Sequence, residues 1–278
     1  MKRIYLAIFI LIMLFIFSSL TKEISIRYSN ESFITLPYTI NTSAQKLYKN
    51  RTNLEKISNR SNFYFKEQNN KKNFYNSVVG LVSTNVKKII DVSSYQGDID
   101  WNKVKPNIDG VILRFGFGSN TLDNKFEYNV SELKRLNIPY GIYLYSYAEN
   151  ILDASNEAIF TNKIIKMYDL NPTLGIYYDL EETYLNGKIL NIKKDTYEKI
   201  INKYIDYLKN RKHKNIGVYT YTKFYNLKLN DKSKSKVKWI AQYNYYFTYN
   251  SIFKMWQYTD KGQLEGINTK VDMNVMFN

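Results

Sequence analysis

The chain contains no cysteine and a single histidine, His213, among its 278 residues. Without cysteine there is no disulfide, no thiol nucleophile and no cysteine-based zinc site. Export is not thereby excluded, because a domain of this size can be stable without covalent staples. His213 lies in the polar run Lys209–Asn215, which is expected to be a solvated helix end. A Ser-His-Asp triad or a His-based metal site would depend on that one residue, so both are disfavoured and neither metal nor cofactor is expected. Glycine is scarce early on: the first of 11 is Gly80. Tight turns usually use glycine. The folded domain is therefore expected at 87–278, with 21–86 as a basic spacer rich in Asn, Ser and Lys. Acidic residues are also few, with 25 Asp and Glu against 40 Lys and Arg, for a net charge of +15. A basic surface favours anionic partners. Anionic wall polymers or lipid heads suit the tail, whereas no nucleic-acid module is present.

The N-terminus reads Met1-Lys2-Arg3 and then an apolar run from Ile4 to Phe17. A basic start before a short apolar stretch has the pattern of an export signal. Residues 1–20 are expected to be a cleaved signal peptide or a retained N-terminal membrane anchor. From Lys87 the pattern changes to short apolar strands alternating with amphipathic helices. Strands are expected at Lys88–Val92, Gly110–Phe115, Tyr140–Tyr145, Leu174–Leu180, Asn215–Tyr219, Val237–Gln242, Phe253–Tyr258 and Lys270–Val275. Helices are expected at Asp123–Leu136, Leu152–Tyr168 and Lys194–Arg211, with Asp123 and Asp153 as N-caps. Alternating strands and helices argue for a parallel sheet with crossover helices, and eight strands for a closed barrel. The last three strands have little helix between them. The expected fold is thus α/β: an irregular TIM-like β/α barrel with eight strands and fewer helices, preceded by an apolar segment and a polar tail. A monomer is the expected state.

In such a barrel the site lies at the C-terminal strand ends. Asp91 ends the first strand, Asp179 and Glu181 end the fourth, and Asp272 lies in the eighth. Asp91 and Asp272 become neighbours once the sheet closes. Alternation points residues 179 and 181 the same way, with Cα atoms roughly 6.6 Å apart at about 3.3 Å per residue. Two carboxylates that close, partly buried, cannot both ionise easily, so one pKa rises. A protonated acid beside an ionised carboxylate is what glycoside hydrolysis needs. Glu182 is expected to face away. Sugar rings pack their C–H faces on aromatic side chains, so Tyr143, Tyr145, Tyr177 and Trp256, with Gln257, are candidate substrate-binding groups beside Asp91 and Asp272. Core packing is the ordinary alternative for each aromatic.

Ordered motifs strengthen this reading. The first strand and loop are Asp91-Val92-Ser93-Ser94-Tyr95-Gln96-Gly97-Asp98-Ile99-Asp100-Trp101. Val111-Ile112-Leu113-Arg114, Gly141-Ile142-Tyr143-Leu144-Tyr145-Ser146-Tyr147-Ala148 and Tyr178-Asp179-Leu180-Glu181 follow. Trp256-Gln257-Tyr258-Thr259 and Val271-Asp272-x-Asn274 close the series. From about Ile89 to Phe277 the chain resembles the family 25 glycoside hydrolases, muramidases that cut the β-1,4 bond after N-acetylmuramic acid. The resemblance implies Glu181 as general acid/base, and Asp179 as the group that holds the 2-acetamido group or stabilises the cationic transition state. It also implies net retention, no cofactor, bacterial peptidoglycan as substrate, and action outside the cell or at the cell wall. The family commonly has His where this chain has Leu144, which alternation turns away from Tyr143 and Tyr145. The competing expectation is a catalytically weak or inactive glycan-binding module on the same fold.

Overall fold

The computed structural model describes residues 62–182, 184–185, 188–189, 191–249 and 253–278. The apolar N-terminal segment and residues 21–61 of the expected spacer lie outside the described residues. The remainder of that spacer is folded, which corrects the expected boundary at residue 87. Strands β1 (Phe63–Gln68), β2 (Lys71–Asn76) and β3 (Gly80–Ser83) form an antiparallel sheet. The β1–β2 turn is Asn69-Asn70, with φ of 52° and 58°. A two-residue hairpin of this kind needs positive φ at both central positions, and asparagine tolerates it where glycine is absent.

Eight strands close the barrel. They are β4 (Val86–Val92), β5 (Gly110–Phe117, flanked by the short β6, Thr121–Leu122), β7 (Tyr140–Tyr145) and β8 (Ile176–Asp179). After a small hairpin of β9 (Tyr184–Leu185) and β10 (Lys188–Ile189) come β11 (Ile216–Tyr221), β12 (Val237–Ala241), β13 (Met255–Gly262) and β14 (Val271–Phe277). Their order around the barrel is β4-β5-β7-β8-β11-β12-β13-β14, and β14 pairs back onto β4. Pairing is parallel from β4 round to β13. The last strand, β14, is antiparallel to both neighbours, and this is where the barrel departs from a regular parallel one. The connection from β13 to β14 holds no helix, so the chain returns as a hairpin; a parallel neighbour would need a long crossover. Reversal puts the start of β14 at the same end as the finish of the other strands. Asp272 pairs in register with Asp91 there.

The helices are few. They are α1 (Trp101–Val104), α2 (Phe126–Arg135), α3 (Ile151–Met167), α4 (Lys194–Lys209) and the short α5 (Thr222–Lys228) and α6 (Asp231–Lys234). Asn150, not Asp153, caps α3, accepting from Leu152 N at 2.8 Å and Asp153 N at 3.1 Å. Asp123 is not a helix cap either: α2 starts after Lys125, and Asp123 pairs with Arg114 at 2.7 Å. The run Lys209–Asn215 is exposed as expected except at His213, which is half-buried with its Nε2 3.0 Å from Asn162 Oδ1.

Alternation along the strands divides the aromatics. Inside the barrel, Ile89, Ile112, Tyr143, Tyr177, Tyr219, Trp239, Met255 and Met276 form one apolar plug. Outside, Leu113, Leu144, Tyr178 and Ile240 are fully buried. On the β13 side the outer face is covered by the small sheet. Phe63 and Phe74 lie with ring centroids 5.5 Å and 5.9 Å from Trp256. Phe74 is completely buried. Burying a Phe side chain stabilises by about 1.5–3 kcal/mol, so β1–β3 are part of the packed domain.

Candidate active site

The mouth of the barrel holds two carboxylate pairs. The first is Asp91 with Asp272. Asp91 Oδ2 accepts from Gln257 Nε2 at 3.0 Å and from Asn274 Nδ2 at 2.6 Å. Asn274 Oδ1 in turn accepts from Trp239 Nε1 at 2.7 Å. Indole N–H can only donate, so this contact fixes which way the Asn274 amide points. Gln257 Oε1 accepts from Tyr219 Oη at 3.0 Å and Tyr243 Oη at 2.9 Å. The result is a fully bonded chain beneath Asp91. Burial pushes Asp91 up to about 6, with its amide donors opposing the rise. Asp272 is pushed up to about 9, by burial and then by the charge of Asp91, to which it is hydrogen-bonded. This pair therefore keeps one proton at neutral pH, held on Asp272.

The second pair is Asp179 with Glu181, hydrogen-bonded to each other. The register Tyr145–Asp179–Tyr219 sets Asp179 between two tyrosines at the strand ends. Asp179 is 4% exposed, and its Oδ1 is buried with no hydrogen-bond partner among the described residues. Burial and then the Glu181 charge hold the Asp179 carboxyl well above its ordinary range. Glu181 is pushed up to about 7, chiefly by burial. Two like charges this close share one proton at neutral pH. Glu181 also lines an open cavity of about 430 Å³ with Tyr219, Tyr221, Thr222, Lys223, Ala241, Gln242 and Tyr243. Among the described residues, no three His, Cys, Asp or Glu side chains are grouped to hold a metal ion. The arrangement offers a proton donor facing a cleft, and beside it a second carboxyl oxygen with unused acceptor capacity.

The model of the glycosyl hydrolases family 25 matches residues 90–267, which contain three of these four carboxylates and most of the barrel. The chain belongs to that family. An autolytic lysozyme of Clostridium acetobutylicum is 30% identical over 189 residues, covering 67% of this chain and 55% of the relative. The modular autolysin LytC from Streptococcus pneumoniae, solved in complex with a synthetic peptidoglycan ligand, superposes with a TM-score of 0.73. It is 39% identical and covers 78% of this chain and 52% of its own. A family 25 glycosyl hydrolase from Bacillus anthracis gives a TM-score of 0.58 at 25% identity, covering 69% of this chain and 88% of that one. The chain thus spans about half the length of the clostridial and pneumococcal relatives.

On this family 25 barrel the candidate residues sort by depth and face. Asp91, Asp179, Glu181, Asp272 and Gln257 come together at the mouth. Tyr143 lies beneath them, edge-on to Trp239 at 5.9 Å, and Tyr145 is half-buried at the rim, 5.4 Å from Tyr147. Two candidates are corrected. Tyr177 shares the face of Asp179 but sits one layer deeper; it is 2% exposed and its hydroxyl donates back to Leu174 O at 2.9 Å. Trp256 faces outward under the small sheet, with its Nε1 donating to Gln242 O at 2.7 Å. Neither ring reaches the cleft. Tyr219, whose hydroxyl ties β11 to Gln257, was not singled out by the sequence, although its place at a strand end on the inward face was available as a signal. Tyr243 is 53% exposed on the cavity wall. Leu144 faces away from the cleft and is fully buried.

Proposed function

We propose that residues 62–278 form the catalytic domain of a peptidoglycan hydrolase that cleaves the β-1,4 bond between N-acetylmuramic acid and N-acetylglucosamine. The observation that carries this reading is the Asp179–Glu181 pair at the barrel mouth. It is raised in pKa, shares one proton, and opens onto the cavity with Asp179 Oδ1 unpartnered among the described residues. Family membership and the likeness to autolysins support the same reading.

In this mechanism the shared proton moves across the Asp179–Glu181 hydrogen bond to Glu181, which donates it to the glycosidic oxygen as the C1–O bond breaks. The proton's departure leaves Glu181 as the base that takes a proton from the incoming water. Asp179, ionised when the proton sits on Glu181, accepts from the N–H of the 2-acetamido group or stabilises the positive charge at C1. The Asp91–Asp272 pair and its amide donors form the rigid base that holds β4, β13 and β14 at one level. Tyr145, Tyr221 and Tyr243 supply ring faces for the sugars. Such a substrate places the activity outside the cell or at the cell wall, on bacterial peptidoglycan.

The test is digestion of purified peptidoglycan by the full chain, followed by identification of the new reducing ends. Reducing N-acetylmuramic acid is expected. Reducing N-acetylglucosamine would assign the other bond. Binding to insoluble wall with no reducing ends released would leave a glycan-binding module instead.

A further inference from the structure

The cleft has a charge problem. Four carboxyl groups converge at its floor, yet a muramic acid unit itself carries a lactyl carboxylate, free or extended by a peptide. Among the residues lining the cavity beside Glu181, Lys223 is the one cation. Arg114, a second cation near the floor among the described residues, is committed elsewhere: its guanidinium pairs with Asp123 at 2.7 Å and donates to Ser94 Oγ at 3.0 Å.

Lys223 is placed on the rim by its neighbour. Thr222 Oγ1 donates to Ala241 O at 3.0 Å, pinning the start of α5 between the ends of β11 and β12. The Lys223 ammonium reaches Glu182 Oε2 at 3.4 Å, a long contact. The two partners differ in exposure, with the lysine side chain 63% exposed and the glutamate 22%. Glu182 is also engaged by the Tyr221 phenol on the same wall. The acid is therefore held, and the ammonium is tethered loosely and open to solvent. Exposed pairs of this kind contribute little and exchange partners readily.

We propose that Lys223 is a specificity-determining residue that receives the carboxylate of the acidic substituent on the glycan, with Glu182 as the tether that keeps the ammonium over the cleft. This deepens the muramidase reading and rests on it. Glu182, expected from alternation to be a bystander, acquires a positioning role through Lys223 rather than through the reaction.

The test compares the full chain with Lys223→Gln and Lys223→Arg on one peptide-free muramyl glycan in two forms, the free lactyl acid and its methyl ester. The wild type should show a lower KM for the acid, by about threefold to tenfold, and the preference should shrink as salt rises. Lys223→Gln should lose the preference, and Lys223→Arg should keep it. An active wild type without an acid preference, or a Lys223→Gln variant that retains one, overturns this inference alone. A wild type that cleaves neither form overturns the muramidase reading and this inference with it.

Discussion

The two carboxylate pairs at the barrel mouth lie on the same floor and are treated by the protein in opposite ways. Asp91 is saturated: its Oδ2 takes two amide donors, and those amides are held by Trp239, Tyr219 and Tyr243. Asp179 is left short, with one buried oxygen lacking a partner among the described residues. A buried polar atom without a partner is costly, and proteins retain few of them. One pair is thus framework and the other is kept reactive, although residue type and burial are alike. Hydrogen-bond supply, rather than acidity alone, tells them apart.

Four measurements break or sharpen that comparison. The largest effect is expected at the proton donor. Glu181→Gln keeps the shape and loses the proton, and reducing-end release from peptidoglycan should fall by about 10²–10⁴-fold, the usual worth of acid–base catalysis. Wall pelleting should still bring the variant down. Full activity in this variant would move the acid elsewhere.

The second measurement separates folding from chemistry. Phe74 lies on the outer face, far in role from either pair. Phe74→Ala removes a fully buried ring against Trp256 and Tyr258, and should cost about 3–5 kcal/mol in denaturant unfolding. Below the unfolding transition its kcat should match the wild type. An unchanged unfolding midpoint would mean that the small sheet adds nothing to the barrel.

A smaller effect is expected from the framework pair. Asp272 is raised to about 9 by burial and Asp91, so the native state holds this proton more tightly than the unfolded chain does. The resulting stability is fully present below the unfolded pKa and is lost as pH rises through about 9. Thermal midpoints of the wild type should therefore fall between pH 5 and pH 9, and those of Asp272→Asn should fall less. A steeper fall in the variant would contradict the assignment.

Much of this architecture was legible in the sequence, and the failures share physical causes. All eight barrel strands lie where short apolar runs predicted them, because buried strands must be apolar. The reversal of β14 was not legible, since alternation reads the same in both directions. The sheet β1–β3 was missed because turn-making was assigned to glycine. Asn69, Asn70, Asn85, Asn137 and Asn215 all adopt positive φ and make turns in its place. Alternation put Asp91, Asp179, Glu181 and Asp272 on the cleft side. It could not give depth, so Tyr177 was placed in the cleft when it lies in the plug beneath. Trp256 and Gln257 are adjacent in a strand and cannot both face inward, a conflict the pattern itself contained. The roles of Asn274 and Tyr219 depend on partners from distant strands, and those follow only from closure of the barrel.

The most direct measurement of the central claim is reducing-end release by Asp179→Asn and Asp272→Asn, assayed together at neutral pH with wall binding verified for both. Asparagine mimics a protonated aspartate: Asp272 can keep its proton throughout, whereas Asp179, raised well above its ordinary range in the resting pair, must pass its proton to Glu181 and act as the anion. Asp272→Asn is expected within a few-fold of the wild type and Asp179→Asn lower by roughly a hundredfold or more, on the scale of lost electrostatic stabilisation in a buried site. Equal loss in the two variants, or an active Asp179→Asn beside an inactive Asp272→Asn, would contradict that claim.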